Sequence, residues 1–185
     1  MVLMYSKEKM IGKKAPDFDL PGVDGKPHSL SSALRHHGAV VVMFVCNHCP
    51  YVQAYWGRLV QLAKSYQDKD VVFLAINPND EKNYPDDSME KMKIVAREWE
   101  FPFAYLRDDD QSVAKAYDAV CTPEMFIVDQ KGMVQYHGGI DDNWQEASKV
   151  RERFLQKALD EVLAGKKVSQ PTPHAMGCSI KWGNL

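Results

Sequence analysis

The chain has 185 residues, 45% of them apolar and 26% charged, with a formal charge of −2 at pH 7. This is ordinary globular usage for one domain with a core large enough to need no staples, and no basic cluster marks a nucleic-acid surface. The first residues, through Lys14, hold no apolar stretch long enough for a signal peptide, and the longest apolar run, Ala39 to Cys46, is too short to span a bilayer. The expectation is a cytoplasmic protein binding neither nucleic acid nor membrane, a single domain over residues 1–185 with 166–185 as a C-terminal tail.

In chain order, Ala15 to Leu20, Asp24-Gly25-Lys26 and His28 to Leu30 read as a small hairpin with an Asp-Gly turn. Ser31 or Ser32 is expected to cap a short helix through Arg35. Ala39 to Val45 is unbroken, β-branched and too short for a typical helix, so it reads as a central strand buried on both faces. Val52, Tyr55, Trp56, Leu59, Leu62, Ala63 and Tyr66 follow at helical spacing, and Val71 to Ile76 is a second buried strand. That order predicts a parallel βαβ unit. Asp87 and Glu90 have capping-box spacing ahead of a helix to Trp99 or Glu100. Phe103 to Leu106 reads as a strand and Gln111 to Tyr117 as a short helix. Met125 to Val128 and Met133 to His137 form a hairpin around Asp129 to Gly132. Asn143 and Glu146 repeat the capping spacing before a helix carrying Val150, Phe154, Leu155, Ala158, Val162 and Leu163, with Gly165 as its C′ residue. The acidic runs at 79–81 and 108–110 read as solvated loops, and Glu124 as an edge carboxylate.

The chemistry centres on Cys46-Asn47-His48-Cys49. Zinc sites share the Cys-x-x-Cys spacing, but this one joins a buried strand to an amphipathic helix inside a βαβ pattern, a thioredoxin-like redox context. Unpartnered N–H groups and the helix dipole at such a turn stabilise a thiolate, which is the nucleophile. Cys46 is therefore expected to have a lowered pKa and to attack, with Cys49 resolving the mixed disulfide. A protonated His48 would further favour the Cys46 thiolate. The second element is Cys121-Thr122-Pro123, just before the Met125 strand.

Ala15-Pro16-Asp17-Phe18 with Asp24-Gly25, Phe44-Val45 through Cys49-Pro50, and Thr122-Pro123 with Phe126 to Asp129 give the family resemblance. Over about residues 12 to 165 the chain resembles the redoxin branch of the thioredoxin superfamily, and within it the peroxiredoxin-like (AhpC/TSA-like) proteins that carry a Cys-x-x-Cys. The tail from Gly177 to Trp182 is similar to that subgroup as well. The resemblance implies an α/β thioredoxin-like fold, a central mixed sheet flanked by helices with an N-terminal β-hairpin extension. It implies a cis peptide at Thr122–Pro123 facing the Cys46 pair. No cofactor or bound metal is expected. Several departures stand out. Where peroxiredoxins have a hydroxyl residue and a proline, the chain has Met43 and Ala39 counted back from Cys46, or Cys46 and Val42 counted back from Cys49, and residues 110–128 contain no arginine. Val45 replaces the tryptophan of thioredoxin, and the Val40 region carries no acid.

Three functions fit these residues. The first is a thiol-disulfide oxidoreductase whose redox partner is a thiol or disulfide protein or a small thiol. The second is a peroxiredoxin-like thiol peroxidase on the same pair. The third is a copper or zinc protein in which His174 or Cys178 adds a ligand to the pair. Cys121 and Cys178 are possible extra redox thiols. Cys178 is expected to pair with Cys121 or relay oxidation from Cys46 if the tail packs near Pro123, and to be structural otherwise.

Overall fold

A computed structural model describes residues 3–5 and 10–183. The chain order is β1 (Leu3–Tyr5), β2 (Asp19–Pro21), β3 (Pro27–Ser29), α1 (Leu30–His36), β4 (Ala39–Phe44), α2 (Pro50–Ser65) and β5 (Val71–Asn77). Next come α3 (Met89–Glu98), β6 (Ala104–Arg107), α4 (Ser112–Ala116), β7 (Cys121–Thr122), β8 (Glu124–Asp129), β9 (Val134–Gly138), α5 (Phe154–Leu163) and β10 (Met176–Ser179). The main sheet has the order β6-β5-β4-β8-β9. Its β4–β5 and β5–β6 pairs are parallel, while β4–β8 and β8–β9 are antiparallel. This is the mixed, thioredoxin-like sheet expected, with the β2–β3 hairpin ahead of it.

Strand periodicity divides the core into two layers. Val41, Met43 and Val45 face one layer together with Val52, Trp56 and Leu59 of α2 and Leu155 and Leu159 of α5. Val40, Val42 and Phe44 face the other, with Leu30 of α1 and Val113 and Ala114 of α4. Every residue of β4 is buried, each large apolar side chain contributing about 1.5–3 kcal/mol. The second layer is fixed by Phe44, Tyr117 and Phe126, whose rings meet edge-on at 5.2–5.7 Å between centroids. A strand this apolar has one stable place, the sheet centre, and its C-terminal end delivers Cys46.

Helix starts depart from expectation in three places. Ser29 caps α1, accepting from the Ser32 N–H. Ser88 caps α3, accepting from the Lys91 N–H, because Asp87 is committed elsewhere. Asn143 does accept from the Glu146 N–H, but that turn leads only to a 3-10 turn at Ala147–Lys149, and α5 starts at Phe154. Gly165 ends α5 at φ 66° as expected. No helix among the described residues is long and apolar enough to cross a membrane.

The tail is a structural part of the body. Val168, Ala175, Cys178 and Ile180 are buried, and β10 lies between β1 and β7 in a second, antiparallel sheet. Backbone bonds tie it down from the Ile180 N–H to the Val120 carbonyl and from the Asp80 N–H to the Lys181 carbonyl.

Candidate active site

Two loops meet at the ends of β4 and β8. The first carries Cys46 to Cys49. Cys49 is the N-cap of α2 and Pro50 opens the helix, a position where proline's fixed φ is favourable and its missing N–H costs nothing. The second loop carries the cis Thr122–Pro123 peptide, as the resemblance implied. Cys46 Sγ lies 3.1 Å from Thr122 Oγ1, and Cys49 Sγ lies 3.2 Å from the Thr122 carbonyl oxygen. Both cysteines are buried and free.

Asn47 holds the first loop. Its N–H donates to Asp87 Oδ1 at 2.6 Å and its side-chain amide to the Asp86 carbonyl at 2.8 Å. Its side-chain oxygen accepts from the Tyr105 hydroxyl at 2.9 Å, and its carbonyl from Gln53 Nε2 at 2.9 Å. Asp87 is fully buried and also accepts from Asn79 Nδ2 at 2.8 Å. His48 Nδ1 meets Asp87 Oδ2 at 2.5 Å, and the His48 ring stacks on Tyr84 with centroids 5.3 Å apart. The second loop is held by Glu124, whose Oε2 accepts from the Val120 and Cys121 N–H groups at 2.8 and 3.1 Å. Glu124 Oε1 meets His137 Nε2 at 2.5 Å.

Charge on the pair is placed differently from the expectation for Cys46. The Cys46 thiol is pushed well above its ordinary value, first by burial, then by donating to Cys49 and by the Asp87 charge. The Cys49 thiol is lowered to about 5, chiefly by the hydrogen bond from Cys46, with burial opposing and the Cys178 thiol and Val52 N–H helping. The helix start adds only the Val52 N–H to this balance, while Cys46 sits before the helix and near the Asp87 carboxylate. Between the two sulfurs, the surroundings thus favour charge on Cys49 over Cys46. His48 is raised by its bond to Asp87, against burial. Burial works against the Asp87 carboxylate, and bonds from His48 and Asn79 outweigh it and keep its pKa low. The imidazolium is thus already partnered by Asp87.

The remaining expected residues separate. Cys178 Sγ lies 2.8 Å from Cys49 Sγ. Cys121 turns toward Glu124 Oε2 at 3.6 Å and pairs with neither Cys178 nor Cys46. Burial and the Glu124 charge push the Cys121 thiol up. His174 packs edge-on to Tyr5 at 6.4 Å. Cys46, His48 and Asp87 bring their potential ligand atoms within 4.8 Å of one another, but His48 Nδ1 and Asp87 Oδ2 are spent on each other.

Sequence reasoning missed Asp87, Asn79, Tyr105 and Glu124. Of the acidic runs, Asn79 and Asp108 are buried, and Asp108 caps α4 by accepting from the Val113 and Ala114 N–H groups at 3.2 and 2.8 Å. The buried acid beside the first loop is Asp87, delivered from the loop after β5. Its separation of 40 residues from Asn47 leaves no local signal.

Comparisons with known proteins agree with this geometry. A model described as the AhpC/TSA family matches residues 11–137. The chain is 30% identical over 139 residues to the thiol:disulfide interchange protein DsbE of Pseudomonas fluorescens biotype C, covering 72% of this chain and 70% of that protein. It is similar to the crystal structure of an uncharacterized conserved protein of Geobacillus kaustophilus, with a TM-score of 0.92 and 42% identity over 100% of this chain and 98% of that one. A hypothetical protein of Sinorhizobium meliloti 1021 gives a TM-score of 0.92 and 34% identity, covering 98% of this chain and 99% of that one.

Proposed function

The chain belongs to the AhpC/TSA family, and on that premise we propose that it is a thiol-disulfide oxidoreductase cycling Cys46 and Cys49 between dithiol and disulfide. The observation that carries the reading is the placement of the pair: both thiols are free and buried against the cis Thr122–Pro123 loop, with Cys46 Sγ 3.1 Å from Thr122 Oγ1 and Cys49 Sγ 3.2 Å from the Thr122 carbonyl oxygen. Cys46 attacks a substrate disulfide and passes its proton along its hydrogen bond to Cys49. A Cys46–substrate bond forms, the substrate S–S bond breaks, and the leaving sulfur takes the proton from Cys49. The Cys49 thiolate then attacks Cys46 Sγ, the Cys46–substrate bond breaks, and the second substrate sulfur leaves as a thiolate that takes its proton from water. The Thr122 hydroxyl, 3.1 Å from Cys46 Sγ, stabilises charge there whenever Cys46 attacks or leaves. The redox partner is a thiol or disulfide protein or a small thiol.

The test is turnover of a disulfide substrate with dithiothreitol as electron donor, on wild type, Cys46→Ser and Cys49→Ser. In a Cys178→Ser background Cys46→Ser is expected to fall to the uncatalysed rate, and Cys49→Ser to accumulate a mixed disulfide on Cys46. Wild-type turnover by Cys46→Ser in that background overturns the assignment.

A second reading is favoured by the low pKa of Cys49, the cysteine followed by Pro50, as the peroxidatic cysteine is in peroxiredoxins. In it the Cys49 thiolate attacks a peroxide, becoming a sulfenic acid and releasing the alcohol or water. Cys46 then condenses with the sulfenic acid, giving the same disulfide and a water. Peroxide consumption that survives in Cys46→Ser and vanishes in Cys49→Ser selects this reading over the first.

A further inference from the structure

The tail brings a third sulfur to the pair. Cys178 stands opposite Thr122 in the β10–β7 register, and its Sγ is 2.8 Å from Cys49 Sγ. A disulfide needs about 2.05 Å between sulfurs, so under about 1 Å of closure joins them. The close approach is built in. A Cβ on Gly177 would lie 2.1 Å from the Thr122 carbonyl oxygen and 3.1 Å from Pro123 N, so a side chain there would drive β10 off the proline loop. Lys181 N donates to Asn79 Oδ1 at 2.9 Å, which ties the strand's exit to the network holding Asp87. Cys178 is buried with the pair, and the sulfur it meets is that of Cys49.

We propose that Cys178 is a second resolving thiol, which exchanges with the Cys46–Cys49 disulfide to give a Cys49–Cys178 disulfide and a free Cys46 thiol. The inference rests on the dithiol reading above. The Cys178 sulfur loses its proton and attacks Cys49 Sγ. The Cys49–Cys178 bond forms, the Cys46–Cys49 bond breaks, and the electron pair leaves on Cys46, which takes up the proton. The step is an exchange: the two electrons already removed stay removed, and no outside oxidant is needed. In the dithiol protein Cys178 is held protonated, pushed up to about 12 by burial and by the Cys49 sulfur it faces. Once Cys49 is in a disulfide its negative charge is gone, while the Lys181 cation that favours the Cys178 thiolate remains. Oxidation of the pair thereby removes one of the two causes that hold the third thiol protonated, burial being the other. The outcome is an oxidised protein with Cys46 again free to react and the tail strand bridged to the start of α2.

The experiment is peptide mapping of the full-length protein without reduction, after oxidised glutathione and an alkylating quench. In Cys46→Ser, the Cys49 thiolate takes one glutathionyl group and releases one glutathione. Cys178 then displaces the second and leaves a Cys49–Cys178 bridge. Cys46→Ser and Cys46→Ser/Cys121→Ser are both expected to give that bridge, and Cys46→Ser/Cys178→Ser to keep the glutathione adduct. Wild type is expected to yield some Cys49–Cys178 bridge with Cys46 alkylated, and Gly177→Ala to lose that species while keeping the Cys46–Cys49 bridge. A lasting Cys49 adduct with alkylated Cys178 in Cys46→Ser, together with no Cys49–Cys178 bridge in wild type, overturns the proposal. The Cys178→Ser variant reports on the underlying reading separately. Failure of its Cys46–Cys49 bridge to form would sink the dithiol mechanism whatever Cys178 does.

Discussion

His48 and His137 each meet a buried carboxylate at 2.5 Å, yet the two pairs sit in different worlds. The His48 side chain is 21% exposed and stacks on Tyr84, while His137 and Glu124 are both 0% exposed, with His137 stacked on Phe126. Each carboxylate has the same second task, holding the backbone of one of the two site loops. Asp87 accepts from the Asn47 N–H inside the Cys-x-x-Cys, and Glu124 from the Val120 and Cys121 N–H groups before Pro123. The difference teaches a division of labour. A sealed pair can only position its loop, whereas a pair open to water can also exchange protons and feel the charge on the cysteines.

The sealed pair should therefore give the largest stability effect. Glu124→Ala leaves two buried N–H groups and His137 without an acceptor, a loss of about 3–5 kcal/mol in urea unfolding. Glu124→Gln, which keeps an acceptor oxygen, is expected to cost less than half of that. A Glu124→Ala variant as stable as wild type would show that the pair does not hold the loop.

Asp87→Asn sharpens the contrast from the other side. It keeps the shape and costs less, about 1–3 kcal/mol, but it removes a charge that raises the Cys46 thiol. Alkylation of Cys46 near neutral pH should become roughly threefold to tenfold faster, the effect of lowering a pKa by half to one unit. Glu124→Gln should leave that rate unchanged. Equal rates in both variants would erase the proposed difference between the pairs.

The scaffold was legible because its signals are local. The unbroken run in β4 has one place in a sheet, and the spacing of Val52, Trp56 and Leu59 has one periodicity. The cysteine pair was legible for the same reason, being four adjacent residues at a strand-to-helix junction. The electrostatics were not, because they depend on contacts between distant residues. Asp87 reads as a helix cap from its spacing to Glu90, but Ser88 performs that task, which frees Asp87 to meet Asn47 and His48 across the sheet end. Glu124 reads as an edge residue because nothing in its neighbourhood reveals that His137 will stand across the β8–β9 ladder. The charge assignment within the pair depends on burial and on the neighbours Asp87, Thr122 and Cys178, which no local pattern displays.

The smallest effect is also the one that only the open pair can show. The His48 pKa is raised by Asp87, so its stabilisation is complete below the unfolded value of about 6.5 and is lost as pH rises through the folded value. The Asp87 pKa is depressed, so its stabilisation is complete above the unfolded value of about 3.9 and is lost as pH falls through the folded value. The pair is thus at full strength between roughly pH 4 and 6.5 and weakens on both sides. Cys49 titrates inside that window, at about 5, and its charge also favours the imidazolium, while Lys181 opposes it. The comparison is therefore best made in a Cys49→Ser background, with and without His48→Gln. The stability difference between the two proteins should be widest near pH 5 to 6, roughly the middle of the window, and should shrink steadily toward alkaline pH. A difference that stays flat across this range would mean that His48 contributes only ring packing against Tyr84, and the open pair would then be as purely positional as the sealed one.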